Sequence, residues 1–241
     1  AFRLLTHRFL GRREGGFVMT YTTLASIVKY PFSSSYAGKH GKFGFFQTEQ
    51  DTYKKIAEEL GIIQKECSAE GIKYVRHPLV YLMEAADDIC YEIMDIEDSH
   101  KLRILSYQET EDLLLSFFAP DEQESIRKRM DEEEVTDANE RVVYMRACVI
   151  GRLEHECVLA FANHERQILD GKLEGCLIDH ISQLQREAYR SCSKVSYKKI
   201  YQSKPVLDVE LGGYKIMETL MKTMIDAAVN PQRFHSQQLM K

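Results

Sequence analysis

Apolar residues recur at helical spacing over most of this chain, and the longest such stretch runs from about Ala138 to Leu169. Its period of three to four residues is typical of a helix with one buried side. Alternating strand patterns are nearly absent elsewhere, and no repeat of 20 to 50 residues stands out. The sequence therefore predicts an all-α fold in a single helical domain over residues 1–241. The apolar positions of the long stretch are Val142, Met145, Val149, Leu153, Cys157, Ala160 and Phe161.

A second helical stretch, from Tyr81 to Asp95, is rich in carboxylates. Asp87, Tyr91 and Asp95 follow one another at i, i+4 and i+8, so they form one row along the helix. Like charges at this density repel one another by a few tenths of a kcal/mol per pair, which calls for a metal ion, basic side chains or water nearby. From spacing alone, a solvated polar side is the simpler interpretation. The predicted polar side holds Glu84, Asp87, Asp88, Tyr91 and Asp95, opposite Leu82, Ala86, Ile89, Ile93 and Ile96.

Composition narrows the class of protein. The net charge of -5 argues against nucleic acid as the main partner, because such binding draws on basic side chains. No apolar run approaches the ~20 residues that span a bilayer, so no membrane partner is expected. The six cysteines contain no CxxC pair, which favours reduced thiols in a cytoplasmic protein.

Lysines flank a glycine-rich segment near the start of the chain. Lys29 precedes this segment, and Lys39 and Lys42 lie within it. Lysines in such a loop can follow an anionic ligand as point charges, but a flexible loop also carries lysines simply for solubility. No GxSxG, P-loop, dinucleotide fingerprint or HExxH occurs, so a self-contained nucleophile or zinc site is not predicted.

The residues of the acidic helix are more informative than their spacing. The run from His77 to Tyr91, HPLVYLMEAADDICY, followed by Asp-Ile-Glu-Asp at 95–98, closely resembles the signature of bacterial deoxyguanosinetriphosphate triphosphohydrolases, members of the HD-domain phosphohydrolase superfamily. Weaker similarity flanks this signature on both sides, so the resemblance covers most of the chain. The flanking pieces are AFRLL at 1–5, YTTLAS at 21–26 with KYP at 29–31, KFGFF at 42–46 and GYKIM at 213–217.

The resemblance implies a fold and a metal site. It predicts a multi-helix, HD-domain-like bundle in which Asp87 is the last ligand of a divalent metal, Mg²⁺ or Mn²⁺. The family's other three ligands, and the histidine and glutamate that assist the attacking water, have no counterpart here and are expected upstream of Ala1. The chain is therefore expected to be truncated at its N-terminus, with no catalytic residue of its own.

The resemblance also implies substrate contacts. Tyr91 would contact the nucleotide and Asp95 the 3′-hydroxyl of the sugar. Lys29 and Lys42 would bind triphosphate oxygens, and Tyr214 is a weaker candidate for the sugar pocket. A homo-oligomer is implied as well.

The expected activity of the full-length protein is hydrolysis of dGTP, and possibly of other dNTPs, to deoxynucleoside and inorganic tripolyphosphate. Residues 1–241 alone are expected to be inactive. One alternative is an HD-type phosphohydrolase of another nucleotide, and another is a non-catalytic helical regulatory or assembly module.

Overall fold

The computed structural model describes residues 1–8, 15–69 and 71–239. It is 69% helical, so the prediction of an all-α protein is confirmed. One small hairpin is the exception among the described residues. The α-helices are α1 Phe2–Thr6, α2 Tyr21–Ser26, α3 Gln50–Glu59, α4 Pro78–Lys101, α5 Tyr107–Leu115, α6 Pro120–Glu132, α7 Ala138–Asn163, α8 Glu165–Leu169, α9 Gln183–Val195, α10 Lys204–Val229 and α11 Phe234–Leu239.

Two apolar clusters organise the fold. The larger cluster is built around α4 and α7, which pack along each other. Helices α5 and α9 pack against this pair. The smaller one joins α1, α2, α3 and the hairpin, and its centre is Tyr53, whose ring stacks on Phe45 with the two centroids 4.4 Å apart. Burial of such side chains from water is the main stabilising contribution to both clusters.

Pro78 predicts a helix start, because proline is favoured in the first helical turn, and α4 begins there. Pro78 is its first residue, a position where the missing N–H leaves no hydrogen bond unmade. His77 caps the helix, because its Nδ1 accepts a hydrogen bond from the backbone N–H of Leu79 at 3.2 Å. The capping box predicted from Ser106 and Glu109 is confirmed at the start of α5. The starts of α4 and α5 are thereby both fixed by local hydrogen bonding.

The hairpin pairs β1 Gln64–Cys67 antiparallel with β2 Ile72–Tyr74, with Cys67 opposite Ile72. The sequence did not predict it. All four residues of β1 are exposed, so this strand lacks the apolar alternation that identifies a half-buried strand.

The sequence predicts a helix over about 172–190, and the first half of this prediction is wrong. Gly171 and Gly175 adopt positive φ values of 66° and 77°, which interrupt helical hydrogen bonding. A short 3₁₀ turn at Leu177–His180 follows, and α9 begins only at Gln183. No helix among the described ranges is long and apolar enough to cross a membrane.

Candidate functional site

The predicted row of Asp87, Tyr91 and Asp95 lies along α4, as its spacing requires. Asp87 is exposed, Tyr91 is 63% exposed and Asp95 is half-buried. At 1.5 Å of rise per residue, the first and last members lie roughly 12 Å apart along the helix axis. The row therefore presents an open carboxylate at one end and a sheltered carboxylate at the other.

Asp95 has a partner that the sequence did not predict. The hydroxyl of Tyr201 donates a hydrogen bond of 2.6 Å to Asp95 Oδ2. Burial of the phenol, together with the neighbouring Asp95 carboxylate, raises the pKa of Tyr201. Tyr201 is therefore a protonated donor at neutral pH. Because it occupies only one oxygen of Asp95, the other oxygen is left to accept from a ligand.

Tyr201 directly follows a π-helical turn, Ser196–Ile200, at the end of α9. π-turns are rare and occur frequently at functional sites. Buried Glu92 fastens this segment to α4, because the hydroxyls of Ser193 and Ser196 each donate to its carboxylate at 2.8 Å. These hydrogen bonds hold the wall that carries Tyr201 against the helix that carries Asp95.

A cavity of about 680 Å³ is lined by Tyr201, the partner of Asp95; Asp95 itself is not among its lining residues. Its size falls within the ~300–1,000 Å³ typical of small-molecule sites. Two tyrosine rings and aliphatic side chains form most of its wall, and one carboxylate lies at its edge. The lining residues are Tyr91, Leu102, Tyr201, Pro205, Val206, Val209 and Glu210. An aromatic and aliphatic cavity beside a hydrogen-bonded carboxylate suits a ligand with a flat apolar part and hydroxyl groups.

Glu84 corrects the sequence interpretation of the polar side of α4. It is 5% exposed, whereas the helical period places it with the solvated carboxylates. Its oxygens pair with Lys29 Nζ at 3.0 Å and with Arg76 Nη1 at 2.9 Å. Cations from the end of α2 and from the segment before α4 therefore cover part of that side. Ala86, predicted on the apolar side, is exposed.

The charged groups around Glu84 also shift one another's pKa values. Burial would lower the pKa of Lys29, but its hydrogen bond to Glu84, together with the charges of Glu84 and Asp88, outweighs that effect and raises the pKa. Burial raises the pKa of Asp88; Lys29 opposes the shift, and the neighbouring carboxylates Glu84 and Asp87 add to it. Lys29, Glu84, Asp87 and Asp88 thus form one electrostatic cluster at the N-terminal half of α4.

Two predicted site residues form no hydrogen bond or ion pair with this cluster in the part of the chain that the structure describes. Lys42 is exposed and makes no hydrogen bond or ion pair within the described part of the chain. Tyr214 is 70% exposed on α10 and does not line the cavity beside Asp95. Their roles in triphosphate and sugar binding stay predictions.

The donor atoms of the row decide whether a metal ion fits there. The exposed carboxylate of Asp87 is a hard oxygen donor of the kind that Mg²⁺ and Mn²⁺ prefer. Residues 1–8, 15–69 and 71–239 contain no group of three or more His, Cys, Asp or Glu side chains placed to hold a metal ion. Asp87 therefore fits as a single ligand, and these residues do not form a complete metal site.

Fold and site together define an all-α protein with a carboxylate and tyrosine row beside a ligand-sized cavity. No protein-family model matches the chain. A deoxyguanosinetriphosphate triphosphohydrolase-like protein of Pseudomonas aeruginosa is 32% identical over 98% of this chain and 52% of its own length. One from Synechocystis is 31% identical over 96% and 52%. The deoxyguanosinetriphosphate triphosphohydrolase of Yersinia enterocolitica is 23% identical over 91% and 45%.

The chain is thus homologous, over nearly all of its residues, to proteins of that name, which confirms the resemblance of the 77–98 signature. It spans about half the length of the curated relatives it matches.

Proposed function

We propose that the whole protein is a dNTP triphosphohydrolase that converts dGTP, and possibly other dNTPs, to deoxynucleoside and inorganic tripolyphosphate. The observation that carries the proposal is the row of Asp87, Tyr91 and Asp95 on α4, with Tyr201 bonded to Asp95 beside the 680 Å³ cavity. Homology to proteins named for this activity supports it.

In this proposal the cavity takes the nucleoside. The free oxygen of Asp95 accepts a hydrogen bond from the sugar 3′-hydroxyl, while Tyr201 holds the carboxylate in place. The ring of Tyr91 offers a face for the sugar or base. The ~12 Å of helix axis between Asp95 and Asp87 leaves room between them for a deoxyribose and its α-phosphate.

The phosphates extend toward Asp87 and the cations near it. A divalent metal, with Asp87 as one ligand and the others supplied from outside residues 1–241, would draw charge from the α-phosphoryl group and lower the pKa of a bound water. Lys29 has three N–H donors, so it can contact a phosphate while it keeps Glu84. Lys42 would add a second point charge from its exposed loop.

The test uses the full-length protein and an assay for tripolyphosphate release. Asp87→Ala should abolish release, whereas Asp98→Ala, an exposed carboxylate on the same helix, should leave it within about threefold. Near-normal release by Asp87→Ala would refute the assignment. Residues 1–241 alone should show no turnover of dGTP.

Product analysis separates the alternatives. An HD-type phosphohydrolase of another nucleotide would release monophosphate or pyrophosphate in place of tripolyphosphate. A non-catalytic helical module would release neither, yet keep the fold.

We also propose that the protein forms a homo-oligomer. Helix α10 exposes large apolar side chains along one broad side, and within the described ranges only Ala227 of its residues is buried. The apolar side of an amphipathic helix normally packs against other protein. The exposed set includes Val209, Leu211, Ile216, Met217, Leu220, Met221, Met224, Ile225 and Val229.

A further inference from the structure

One apolar side of α4 remains largely exposed to water. Leu79 is 40% exposed and Met94 is 46% exposed, and Ala86 and Cys90 between them are exposed as well. At 3.6 residues per turn, these side chains and half-buried Met83 fall within roughly a quarter of the helix circumference. Asp87 borders them on the same helix. The apolar strip, as it is named below, consists of Leu79, Met83, Ala86, Cys90 and Met94.

A groove of about 310 Å³ between α4 and α7 continues the apolar strip. Ala86 and Cys90 belong to both, and Ile150 and Val158 of α7 line the opposite wall. Val158 is 55% exposed. Eight of the nine lining residues in the described part of the chain are apolar, and the ninth is Glu154. Exposed apolar surface of this extent marks an interaction site.

We propose that a helix from the part of the full-length protein before Ala1 packs on the apolar strip and the groove, and brings further metal ligands to Asp87. This rests on the proposed function, because it takes Asp87 as a metal ligand. The occupant is a segment of the same protein, since the chain spans about half the length of the curated relatives it matches.

Metal coordination requires the occupant to come close to Asp87. A divalent ion takes four or more ligands at about 2.0–2.6 Å. Within residues 1–8, 15–69 and 71–239 no group of three or more ligand side chains is placed to hold one. Atoms that complete the site must therefore lie within about 5 Å of the Asp87 carboxylate. The backbone that carries them then covers Ala86 and Cys90, which lie beside Asp87 on α4.

The spacing of the apolar strip favours a helix as the occupant. Leu79, Met83, Ala86 and Cys90 follow one another in steps of four, three and four residues. Two helices that pack along each other at a shallow angle use this spacing. Ala86 and Cys90 are small, so a partner helix can approach α4 most closely at the turn that holds Asp87. The point of closest approach thus coincides with the proposed metal ligand.

The test uses the thiol of Cys90 as a probe of exposure. Iodoacetamide should alkylate Cys90 readily in residues 1–241 and at least tenfold more slowly in the full-length protein, as followed by mass spectrometry. Exposed Cys67 on β1 shows that the reagent is active, and buried Cys192 should stay unreacted while the protein is folded. A smaller slowing of Cys90 overturns the proposal.

A charge placed in the apolar strip separates docking from general loss of the fold. Ala86→Glu should leave the urea midpoint of residues 1–241 unchanged, because this position is exposed there. In the full-length protein it should restore fast alkylation of Cys90, since a buried, unpaired carboxylate is unfavourable. The matched control is Ala138→Glu, exposed at the start of α7 and roughly 18 Å along that helix from Ile150. It should keep Cys90 protected. Protection that survives Ala86→Glu overturns the proposal.

A second copy of the chain is the competing occupant, and concentration distinguishes it. Residues 1–241 contain whatever surface such a copy would use, so Cys90 would then become protected as residues 1–241 are concentrated. That result overturns the proposal, whereas a rate independent of concentration supports it.

The two proposals about this site fail separately. Full-length protein that protects Cys90 but releases no tripolyphosphate would refute the proposed function and leave the docking surface intact. Release of tripolyphosphate with Cys90 unprotected would refute the docking surface alone.

Discussion

Tyr201 and Asp95 lie 106 positions apart in the sequence, yet the tyrosine hydroxyl donates to the carboxylate across 2.6 Å. This contact joins the segment after α9 to the row on α4. It orients a half-buried carboxylate next to a tyrosine that lines the nucleoside-sized cavity.

Tyr201→Phe should weaken binding of 2′-deoxyguanosine about tenfold. The variant keeps the ring and removes the hydroxyl, and a hydrogen bond to a charged group contributes about 1.5 kcal/mol, close to a factor of ten in affinity. Binding of 2′,3′-dideoxyguanosine should change little, because that ligand has no 3′-hydroxyl for Asp95. Titration calorimetry measures both ligands. Tyr197→Phe, at an exposed position of the same π-turn, is the control. Equal losses for both ligands would contradict the positioning role of Tyr201.

Glu84→Gln should lower the free energy of unfolding by about 2 kcal/mol. Removing one member of a buried ion pair leaves the other charge uncompensated, and here two cations lose their partner. The loss is smaller than for a fully buried pair because Lys29 and Arg76 keep some contact with water. Urea unfolding measures the change. Glu59→Gln, on an exposed position of α3, should shift the free energy by less than 0.5 kcal/mol. A Glu84 variant as stable as this control would show that the pair contributes nothing net.

Stability should fall in acid partly through Glu97. Burial would raise the pKa of this carboxyl, but hydrogen bonds from Lys101 and Arg146 outweigh burial and lower it. A lowered pKa in the folded state means that the contribution of Glu97 is fully present above its unfolded-state pKa, near 4.3. It is lost as the pH falls through the lower folded-state value.

The measurement is the urea midpoint from pH 6 to pH 2.5 for wild type and Glu97→Gln. The variant should be less stable at pH 6, and the difference should shrink steadily below about pH 4. Glu124→Gln, at an exposed site on α6, should parallel the wild type throughout. A constant difference between Glu97→Gln and wild type over this range would refute the linkage.

Charges on α10 should dissociate the oligomer. An Ile216→Glu/Leu220→Glu variant places two carboxylates on a surface that the proposed contact would bury, where an unpaired charge costs several kcal/mol. Light scattering after gel filtration should show a smaller mass than for wild type. Thr219→Glu adds one charge on the same helix at a polar position. A monomeric wild type, or an unchanged mass for the double variant, would overturn the proposed role of α10.

The acidic helix shows how far its own sequence predicts structure. Pro78 as the first helical residue and the Asp87, Tyr91 and Asp95 row follow from local rules of capping and period, and the structure has both. The burial of Glu84 does not follow, because a helical period reports only one apolar side and cannot show which cations a separate segment brings. Lys29 and Arg76 come from two such segments.

Tyr201 could not be predicted for a similar reason. Its position depends on a π-turn, which shifts the following side chains relative to the 3.6-residue helical period. It also depends on the long-range hydrogen bond between Ser196 and Glu92, which no local pattern indicates. The all-α class, by contrast, is encoded many times over by apolar periodicity in α4 and α7. Local signals repeated along a chain are readable from sequence, whereas single long-range contacts are not.

Asp87, Tyr91 and Asp95 all lie on α4, so the distances between them are fixed by the geometry of a single helix. Helix α4 packs against α7 along much of its length. Val149 and Leu153 of α7 are fully buried, so replacing either with alanine would leave a cavity. The whole of α4 could then shift toward that cavity. Such variants would move the whole row relative to Tyr201 while the distances within the row stay the same. Defects remote from the site could therefore mimic loss of the hydrogen bond between Tyr201 and Asp95 without touching either residue.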